Sequence, residues 1–206
     1  MEIDGKNYTL LLDYDRGQYH YLSFRGKVTY MRGRVNLILI RPCEEAMKTA
    51  LQTDLGLILA TAICAGISAA GTFLKGERAP RRKDKEYFLD FVRDYMNLML
   101  QGQCSAGASW AEWLYERVRC GLAHIFAIEV GGIEYELSNY VLEKPYGPEI
   151  NPNLLLADFS DGWSKYLNAV VQDGQGKGLG TLFEKRFDEV FHDSGQGTIA
   201  GDYKSV

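Results

Sequence analysis

Hydrophobic and polar positions along most of the chain follow the period of an α-helix. In residues 86–100 the aromatic and aliphatic side chains recur three and four positions apart, which is typical of a helix with one apolar face. Similar patterns predict further helices at about 43–74, 110–126, 153–171 and 179–191. Gly56 and Gly66 are candidate break points in the helix at 43–74, and the helix at 153–171 has the alternative of two short helices. We therefore expect a mainly α protein whose helices form a bundle.

Two regions have the shorter period that is typical of β-strands. Runs rich in β-prone residues at 8–12 and 18–24 flank a turn-forming segment, which predicts a hairpin. Residues 1–40 are therefore predicted to be β-rich, with 34–40 as a further strand or as the lead-in to a helix. Later in the chain, two short alternating runs within 127–137 surround a Gly-Gly pair and predict a second β-hairpin after the motif helix described below.

Several helix boundaries have local signals of their own. Ser109 is a predicted N-cap with Glu112 three residues later, which is the capping-box pattern for the start of the helix at 110–126. The charged, proline-containing stretch 76–85 and the small, polar stretch 102–109 are predicted loops.

A chain of 206 residues is long enough for one domain with a sizeable core. We expect a single domain over 1–206. It comprises the β-rich segment at 1–40, a helical bundle over 43–192 and a flexible tail at 193–206. The sequence contains no internal repeat.

One segment is apolar enough to raise the question of a membrane. Residues 55–74 contain no charge, and about twenty apolar residues are enough to cross a bilayer. Basic residues follow at 75–83, as they do on the cytoplasmic side of a membrane span. The alternative is a central bundle helix that is hydrophobic all round because other helices cover it. The helical pattern of the rest of the chain favours this alternative, so we expect a soluble protein with no membrane association.

Composition and charge are those of an ordinary globular protein, with 46% hydrophobic and 24% charged residues. The formal net charge of −4 excludes an overall basic field, although a local basic patch would still suffice for nucleic acid. The four cysteines are widely spaced, with no CxxC pair and no set of cysteines and histidines that would complete a zinc site, which predicts free thiols in a reducing cytoplasm. We expect a cytoplasmic protein without a metal or a cofactor.

The candidate chemistry lies in the helix predicted at 110–126. Arg119 and His124 are separated by four residues, Tyr115 precedes them, and small or apolar residues fill the space between them. This pattern, late in a helical bundle, resembles the signature of the HEPN superfamily. The order of an apolar helix, an amphipathic helix and then this motif helix also resembles that family. The resemblance covers about 43–126, and the two C-terminal helices are a further candidate part of it.

The resemblance implies metal-independent cleavage of RNA by a homodimer in which two motif helices form one composite cleft. Histidine exchanges a proton near neutral pH, so His124 would accept the proton of a ribose 2′-OH or protonate the leaving oxygen. Arg119 would direct permanent positive charge at the phosphate as its negative charge increases. The resemblance also points to a toxin or a phage-defence effector that an antitoxin or another protein partner restrains.

Helical geometry adds a supporting set of residues. In an ideal α-helix, residues five apart differ by about 140° around the axis, whereas residues seven apart are only about 20° out of line. Arg117 is therefore predicted to lie two turns beneath His124, while Arg119 has its role by resemblance alone. Glu116 and Cys120 complete the supporting set. Active members of the family often have Asn or another polar residue where this chain has Cys120, and a thiol is a weak hydrogen-bonding group.

Two other interpretations stay open at this point. Arg119 and His124 could serve only the structure by pairing with carboxylates such as Glu116 and Glu129. The alternative function is a non-catalytic HEPN-like module that binds RNA, a nucleotide or a protein. The basic run from 78 to 85 could steer RNA, although such runs are more often solvated loops.

Overall fold

The computed structural model describes residues 2–3, 6–7, 19, 22–48, 52–97, 102–104, 107–120, 132–135, 141–145 and 147–191. The helices are α1 (Phe24–Val35), α2 (Arg41–Met47), α3 (Gln52–Lys75), α4 (Asp84–Tyr95), α5 (Trp110–Trp113), α6 (Pro152–Asp173) and α7 (Gly178–Phe191). A π-helical turn, Asn36–Ile40, joins α1 to α2, and a second π-helical segment, Leu114–Arg119, extends α5. The described part of the chain thus forms six continuous helices, which confirms the prediction of a mainly α fold.

Helix α3 lies at the centre of the bundle. It contacts α4, α6, α7 and the π-helical extension of α5. Ile63, Cys64 and Ile67 have no exposed surface. Because complete burial of an isoleucine side chain contributes about 1.5–3 kcal/mol, the hydrophobic effect holds α3 in this position. A Cβ atom at Gly71 would collide with the backbone carbonyl of Tyr87, so the glycine allows α3 and α4 to approach closely.

Aromatic side chains from four other helices fill the space around α3. The fully buried ones are Tyr30, Phe88, Phe91, Phe159, Tyr166, Phe183 and Phe187. The Tyr166 hydroxyl donates a hydrogen bond of 2.9 Å to the carbonyl oxygen of Phe73, which satisfies a polar group inside the core.

Short strands form two small sheets outside the bundle. Strands β1 (Glu2–Ile3) and β2 (Lys6–Asn7) pair in antiparallel fashion. Strand β5 (Glu149–Ile150) lies between β3 (Gly132–Ile133), to which it is parallel, and β4 (Val141–Leu142), to which it is antiparallel. The structure describes residues 132–135 of the hairpin predicted at 127–137. Strand β3, which belongs to this part, pairs with β5, which lies beyond the predicted hairpin.

The prediction of β structure over residues 1–40 is wrong for residues 24–40, which are helical. The Ser23 hydroxyl accepts the Gly26 N–H at 3.0 Å and starts α1, and Val28 and Tyr30 are buried in the core. Packing against α6 and α7 thus overrides the β propensity of this segment. Residues 34–40 are helical, which confirms the alternative prediction that they lead into a helix. The bundle therefore begins at Phe24 and not at residue 43.

The helix predicted over 43–74 is interrupted at a different place from the one expected. Helix α2 ends at Met47 and α3 begins at Gln52, whereas Gly56 and Gly66 lie inside the continuous helix α3. A Cβ atom at Gly56 would lie 2.5 Å from Ile133 Cγ2, and one at Gly66 would collide with the Leu39 side chain. Both glycines therefore serve close packing against neighbouring segments.

The other helices agree with the sequence pattern, apart from shifted boundaries. Helix α4 ends at Tyr95, before the predicted end at residue 100, because Met96 has an extended backbone. The stretch predicted as one helix or two, 153–171, is the single helix α6, and the last predicted helix is α7. The strand predicted at 8–12 and the tail at 193–206 lie outside the described residues.

Among the described residues, one helical stretch, Leu55–Lys75, is long and apolar enough to cross a membrane. Half of its most apolar window is buried within the protein, in contact with other helices of the bundle. This arrangement is consistent with a core helix of a soluble bundle, in which neighbouring helices replace water around the apolar side chains.

Candidate functional site

The motif helix consists of residues 110–119, that is, α5 and its π-helical extension. It begins with the predicted capping box, which is confirmed. Ser109 Oγ accepts the Glu112 N–H at 3.2 Å, and Glu112 Oε2 accepts the Ser109 N–H at 3.1 Å. Leu114 and Val118 are fully buried, and the π-helical segment packs against α3. Single π-helical turns within α-helices occur frequently at functional sites.

Arg119 is held in place by Asp84 of α4 and by Tyr115, four residues earlier in the same helical segment. Its Nη2 atom lies 2.8 Å from Asp84 Oδ2, and its guanidinium carbon lies 5.3 Å from the centre of the Tyr115 ring. The Tyr115 hydroxyl donates a hydrogen bond of 2.6 Å to the same Asp84 oxygen. Asp84 is the first residue of α4, so a carboxylate at the start of one helix orients an arginine at the end of another. About a third of the Arg119 side chain (32%) is exposed.

The surroundings keep Arg119 charged. Burial opposes the charge of the guanidinium, but the contact with the Cys120 thiol and the charge of Asp84 outweigh it and raise the pKa of Arg119 above its ordinary value. Burial, reinforced by the hydrogen bond to Asp84, raises the pKa of the Tyr115 hydroxyl, so this group stays protonated and remains a donor. The site therefore presents a permanent positive charge in a geometry that two partners fix.

Glu116 pairs with Lys85 and not with Arg119. Lys85 Nζ lies 2.8 Å from Glu116 Oε1 and 3.2 Å from Glu112 Oε1. The hydrogen bond to Glu116 is the main cause that raises the pKa of Lys85. The ion pair between Lys85 and Glu116 joins α4 to the motif helix. The acidic partner of Arg119 is Asp84. Arg119 thus pairs with a carboxylate, as the structural interpretation expects, but the carboxylate is that of Asp84 and not that of Glu116.

The other two supporting residues have different surroundings. Arg117 is exposed on the motif helix, whereas Cys120 is partly buried and its Sγ atom lies 3.8 Å from Arg119 Nη1. The alignment of Arg117 with His124 presupposed an ideal α-helix. The segment that contains Arg117 and Arg119 is π-helical, so the angular spacing of an ideal α-helix does not apply to the start of the stretch from Arg117 to His124.

His124 lies outside the described residues, as do His20, His192 and Glu129. The structure therefore places the arginine of the motif and its partners, while the position of the histidine relative to them stays a prediction.

The prediction of free cysteines is confirmed. Cys43, Cys64 and Cys104 are buried thiols, and Cys120 is partly exposed. Burial raises the pKa of the Cys64 thiol to about 12, although the nearby charge of Arg119 acts in the opposite direction. Cys64 is therefore a protonated, inert core residue next to the site.

Sequence reasoning missed Asp84 and the role of the Tyr115 hydroxyl. Asp84 lies at the end of a charged loop that looks solvated in the sequence, and it is separated from Arg119 by the whole of α4 and the following loop. The available signal was an acidic residue just before a predicted helix, which indicates a helix start and not a partner for a distant arginine.

A cavity of about 270 Å³ lies between α1, α3 and α6. Its lining is Met31, Val35, Ile38, Leu39, Ala62, Ala65, Gly66, Ala69, Ala70, Phe73, Phe159 and Trp163. No titratable side chain contributes to this lining, so the cavity lacks groups for acid–base chemistry. Within the described part of the chain, no group of three or more His, Cys, Asp or Glu side chains is placed to bind a metal ion.

Comparisons of this chain with protein-family models, with curated proteins and with solved structures gave no match.

Proposed function

We propose that this protein is a HEPN-like, metal-independent endoribonuclease in which Arg119 and His124 carry out the chemistry. The supporting observation is the environment of Arg119. Its guanidinium is kept charged, is oriented by Asp84 and Tyr115, remains about one-third exposed (32%), and stands five positions before His124. An arginine fixed in this way can bind a phosphate without a large loss of side-chain entropy.

The proposed reaction uses the RNA itself as the nucleophile. The ribose 2′-oxygen attacks the adjacent phosphorus while a histidine removes its proton, and the bond from phosphorus to the 5′-oxygen breaks. The leaving 5′-oxygen takes up a proton, so the products are a 2′,3′-cyclic phosphate and a 5′-hydroxyl. Arg119 stabilises the negative charge that builds on the phosphate oxygens during this step. A homodimer would supply a second histidine and a second arginine to the same cleft.

The test is incubation of total RNA with the purified protein in the presence of EDTA. We expect wild type to cleave RNA and to leave 2′,3′-cyclic phosphate ends. We expect His124→Ala to reduce the rate by about 10²–10⁴-fold, as for the loss of a general acid or base, and Arg119→Ala to reduce it by about 10²–10³-fold.

The matched control is Arg25→Ala, which removes an exposed arginine of α1 and should leave the cleavage rate unchanged. If wild-type protein of native helical content leaves RNA intact, the ribonuclease proposal fails. The same conclusion follows if His124→Ala cleaves as fast as wild type, because the activity then belongs to another site or to a contaminant.

One observation favours the alternative of a non-catalytic HEPN-like module that binds RNA, a nucleotide or a protein. The Arg119 guanidinium already has Asp84 on one edge, and the neighbouring position is Cys120, a weak hydrogen-bonding group. RNA binding by wild type without any cleavage would support this alternative.

The proposal extends to the setting of the protein. A ribonuclease of this type acts in the cytoplasm on cellular or phage RNA, as a toxin or a defence effector, and an antitoxin or another protein partner restrains it. Growth arrest on induction of wild type, and normal growth on induction of His124→Ala, is the expected result in cells.

A further inference from the structure

The loop between α3 and α4 brings a group of positive charges to the start of the helix that orients Arg119. Arg78, Arg81, Arg82 and Lys83 are all exposed, and we refer to these four residues as the basic loop. The basic loop ends directly before Asp84, whose carboxylate contacts Arg119. Since consecutive Cα atoms are about 3.8 Å apart, Arg82 and Lys83 lie within about 8 Å of Asp84 along the chain.

The charges of the basic loop are largely uncompensated. Within the described part of the chain, no hydrogen bond or ion pair joins the guanidinium groups of Arg78, Arg81 or Arg82 to another residue. Lys83 Nζ lies 3.8 Å from Glu86 Oε2, and both of these side chains are more than half exposed, so this pair is weak.

Acidic groups near the basic loop are already occupied by other partners. Glu77 accepts a hydrogen bond of 2.7 Å from the Tyr87 hydroxyl, and Asp84 is paired with Arg119. Lys85 lies within ion-pair distance of the carboxylates of Glu112 and Glu116. Residues 77–86 contain five basic and three acidic side chains, a local net charge of +2 in a chain whose formal net charge is −4.

The backbone of the basic loop is strained at its tip. The Lys83 N–H donates to the Pro80 carbonyl at 2.9 Å, so residues 80–83 form a turn with Arg81 and Arg82 in the two central positions. Arg82 has a φ of 74°, and no other non-glycine residue of the described chain has a positive φ. Glycine adopts this conformation without strain, whereas a residue with a side chain does not. An arginine at such a position is a candidate for a functional role, because the strain is retained together with an unpaired charge.

We propose that the basic loop binds the phosphate backbone of RNA and guides the strand to Arg119. This inference rests on the proposed function for its choice of RNA as the ligand. Exposed, unpaired arginines next to a phosphate-directed arginine provide several points of contact along one strand, and each contact releases counterions from the nucleic acid. The basic loop therefore contributes to RNA affinity, while the chemistry belongs to Arg119 and His124.

The test measures binding separately from cleavage. All variants carry His124→Ala, and binding of a fluorescein-labelled single-stranded RNA is followed by fluorescence anisotropy at several salt concentrations. The loop variant is Arg78→Gln/Arg81→Gln/Arg82→Gln, and the matched control is Arg25→Gln/Arg41→Gln/Lys177→Gln, which removes three exposed positive charges elsewhere. We expect the loop variant to bind RNA at least about tenfold more weakly at low salt, with a salt-dependence slope reduced by about 2, and the control to bind like the parent.

A single substitution, Arg82→Gly, gives an independent measurement. Glycine relieves the strained φ, so we expect a higher thermal unfolding midpoint together with weaker RNA binding. If Arg82 had only a structural role, RNA binding would change in the same direction as stability or would stay constant. A higher unfolding midpoint together with weaker RNA binding would therefore indicate a role in binding. Unchanged binding by Arg82→Gly and by the loop variant overturns the proposal.

The outcomes separate this inference from the proposed ribonuclease activity. RNA binding that depends on the basic loop, in a protein whose wild type does not cleave RNA, supports the loop as an RNA-binding surface and rejects the nuclease. In protein that retains His124, cleavage of RNA at the same rate with the loop substitutions as with the control substitutions rejects the loop and keeps the nuclease. Binding of phosphatidylserine vesicles or of polyglutamate by the basic loop, without binding of RNA, also overturns the inference.

Discussion

At the scale of single residues, Asp84 is the group that gives Arg119 its orientation. Its Oδ2 atom receives both the Arg119 guanidinium at 2.8 Å and the Tyr115 hydroxyl at 2.6 Å. An arginine side chain has many rotamers in solution, and a substrate would have to order them on binding. The Asp84 carboxylate and the Tyr115 ring order this side chain in advance, so Asp84 is a positioning residue for the proposed reaction.

The substitution Asp84→Asn tests this role. Asparagine retains the shape of the side chain but loses the charge that holds the guanidinium, so we expect RNA cleavage to slow by about 10- to 100-fold. The same change removes a carboxylate that, after burial, contributes most to the raised pKa of Tyr115. We therefore expect the Tyr115 phenol to ionise at a lower pH in Asp84→Asn than in wild type, as measured by NMR on ¹³C-labelled tyrosine.

The control for this prediction is Asp94→Asn on the same helix. Asp94 is an exposed residue that pairs with Arg93 at 2.8 Å, so its loss should change neither the cleavage rate nor the titration of Tyr115. Cleavage by Asp84→Asn at the wild-type rate would show that Arg119 does not need this partner.

The residues of the candidate site could be predicted from the sequence only where the interaction is local. The Ser109–Glu112 capping box was predicted because both partners lie within one helical turn, and the structure confirms it. Asp84 was not predicted, because its contact with Arg119 depends on how two helices pack and not on their spacing in the sequence. Arg119 itself was proposed by resemblance, and the position of His124 remains a prediction.

At the scale of helices and strands, the packing of α3 against α4 depends on a glycine. A Cβ atom at Gly71 would collide with the backbone carbonyl of Tyr87, and a backbone atom cannot move aside as a flexible side chain can. We therefore expect overpacking in Gly71→Ala to cost about 2–3 kcal/mol, in the upper part of the usual range. The higher helix propensity of alanine offsets about 1 kcal/mol of this loss, so the free energy of unfolding should fall by about 1–2 kcal/mol.

The measurement is chemical denaturation, with Gly132→Ala as the control. A Cβ atom at Gly132 would meet only Glu149 Cγ, at an ordinary contact distance of 3.6 Å, and the change should leave the midpoint close to that of wild type. An unfolding midpoint of Gly71→Ala at or above that of wild type would contradict the proposed close approach of α3 and α4.

Helices were predictable where an apolar face repeats, and they were not where β-prone residues form a helix. Helices α4, α6 and α7 follow from the period of their hydrophobic positions, since one face of each meets the core. Helix α1 does not, because its aromatic and β-branched residues favour strands in isolation. Burial of Val28 and Tyr30 against other helices decides its conformation, and this information is not local.

At the scale of the whole molecule, α3 has two sides with different environments. Ile67 has no exposed surface and faces the core, whereas Ala65 is exposed on the same helix. A helix in a bilayer would have apolar surroundings on both sides, whereas a helix in a soluble bundle has water on one side. Lysine substitutions on the two sides therefore distinguish a soluble bundle from the membrane anchor that the composition of 55–74 also allows.

The substitutions Ala65→Lys and Ile67→Lys separate these two possibilities. In a soluble bundle, Ala65→Lys should change the free energy of unfolding by no more than about 0.5 kcal/mol, while Ile67→Lys should cost about 4 kcal/mol or more and unfold the protein. Wild type and Ala65→Lys should then remain in the supernatant after ultracentrifugation without detergent, with the helical content of wild type by circular dichroism. In a membrane helix, lysine near the centre costs about 2.5–3.5 kcal/mol on either side, so both variants would insert poorly. Sedimentation of wild type with the membranes, and its release only by detergent, would overturn the soluble bundle and with it the expectation of a cytoplasmic ribonuclease.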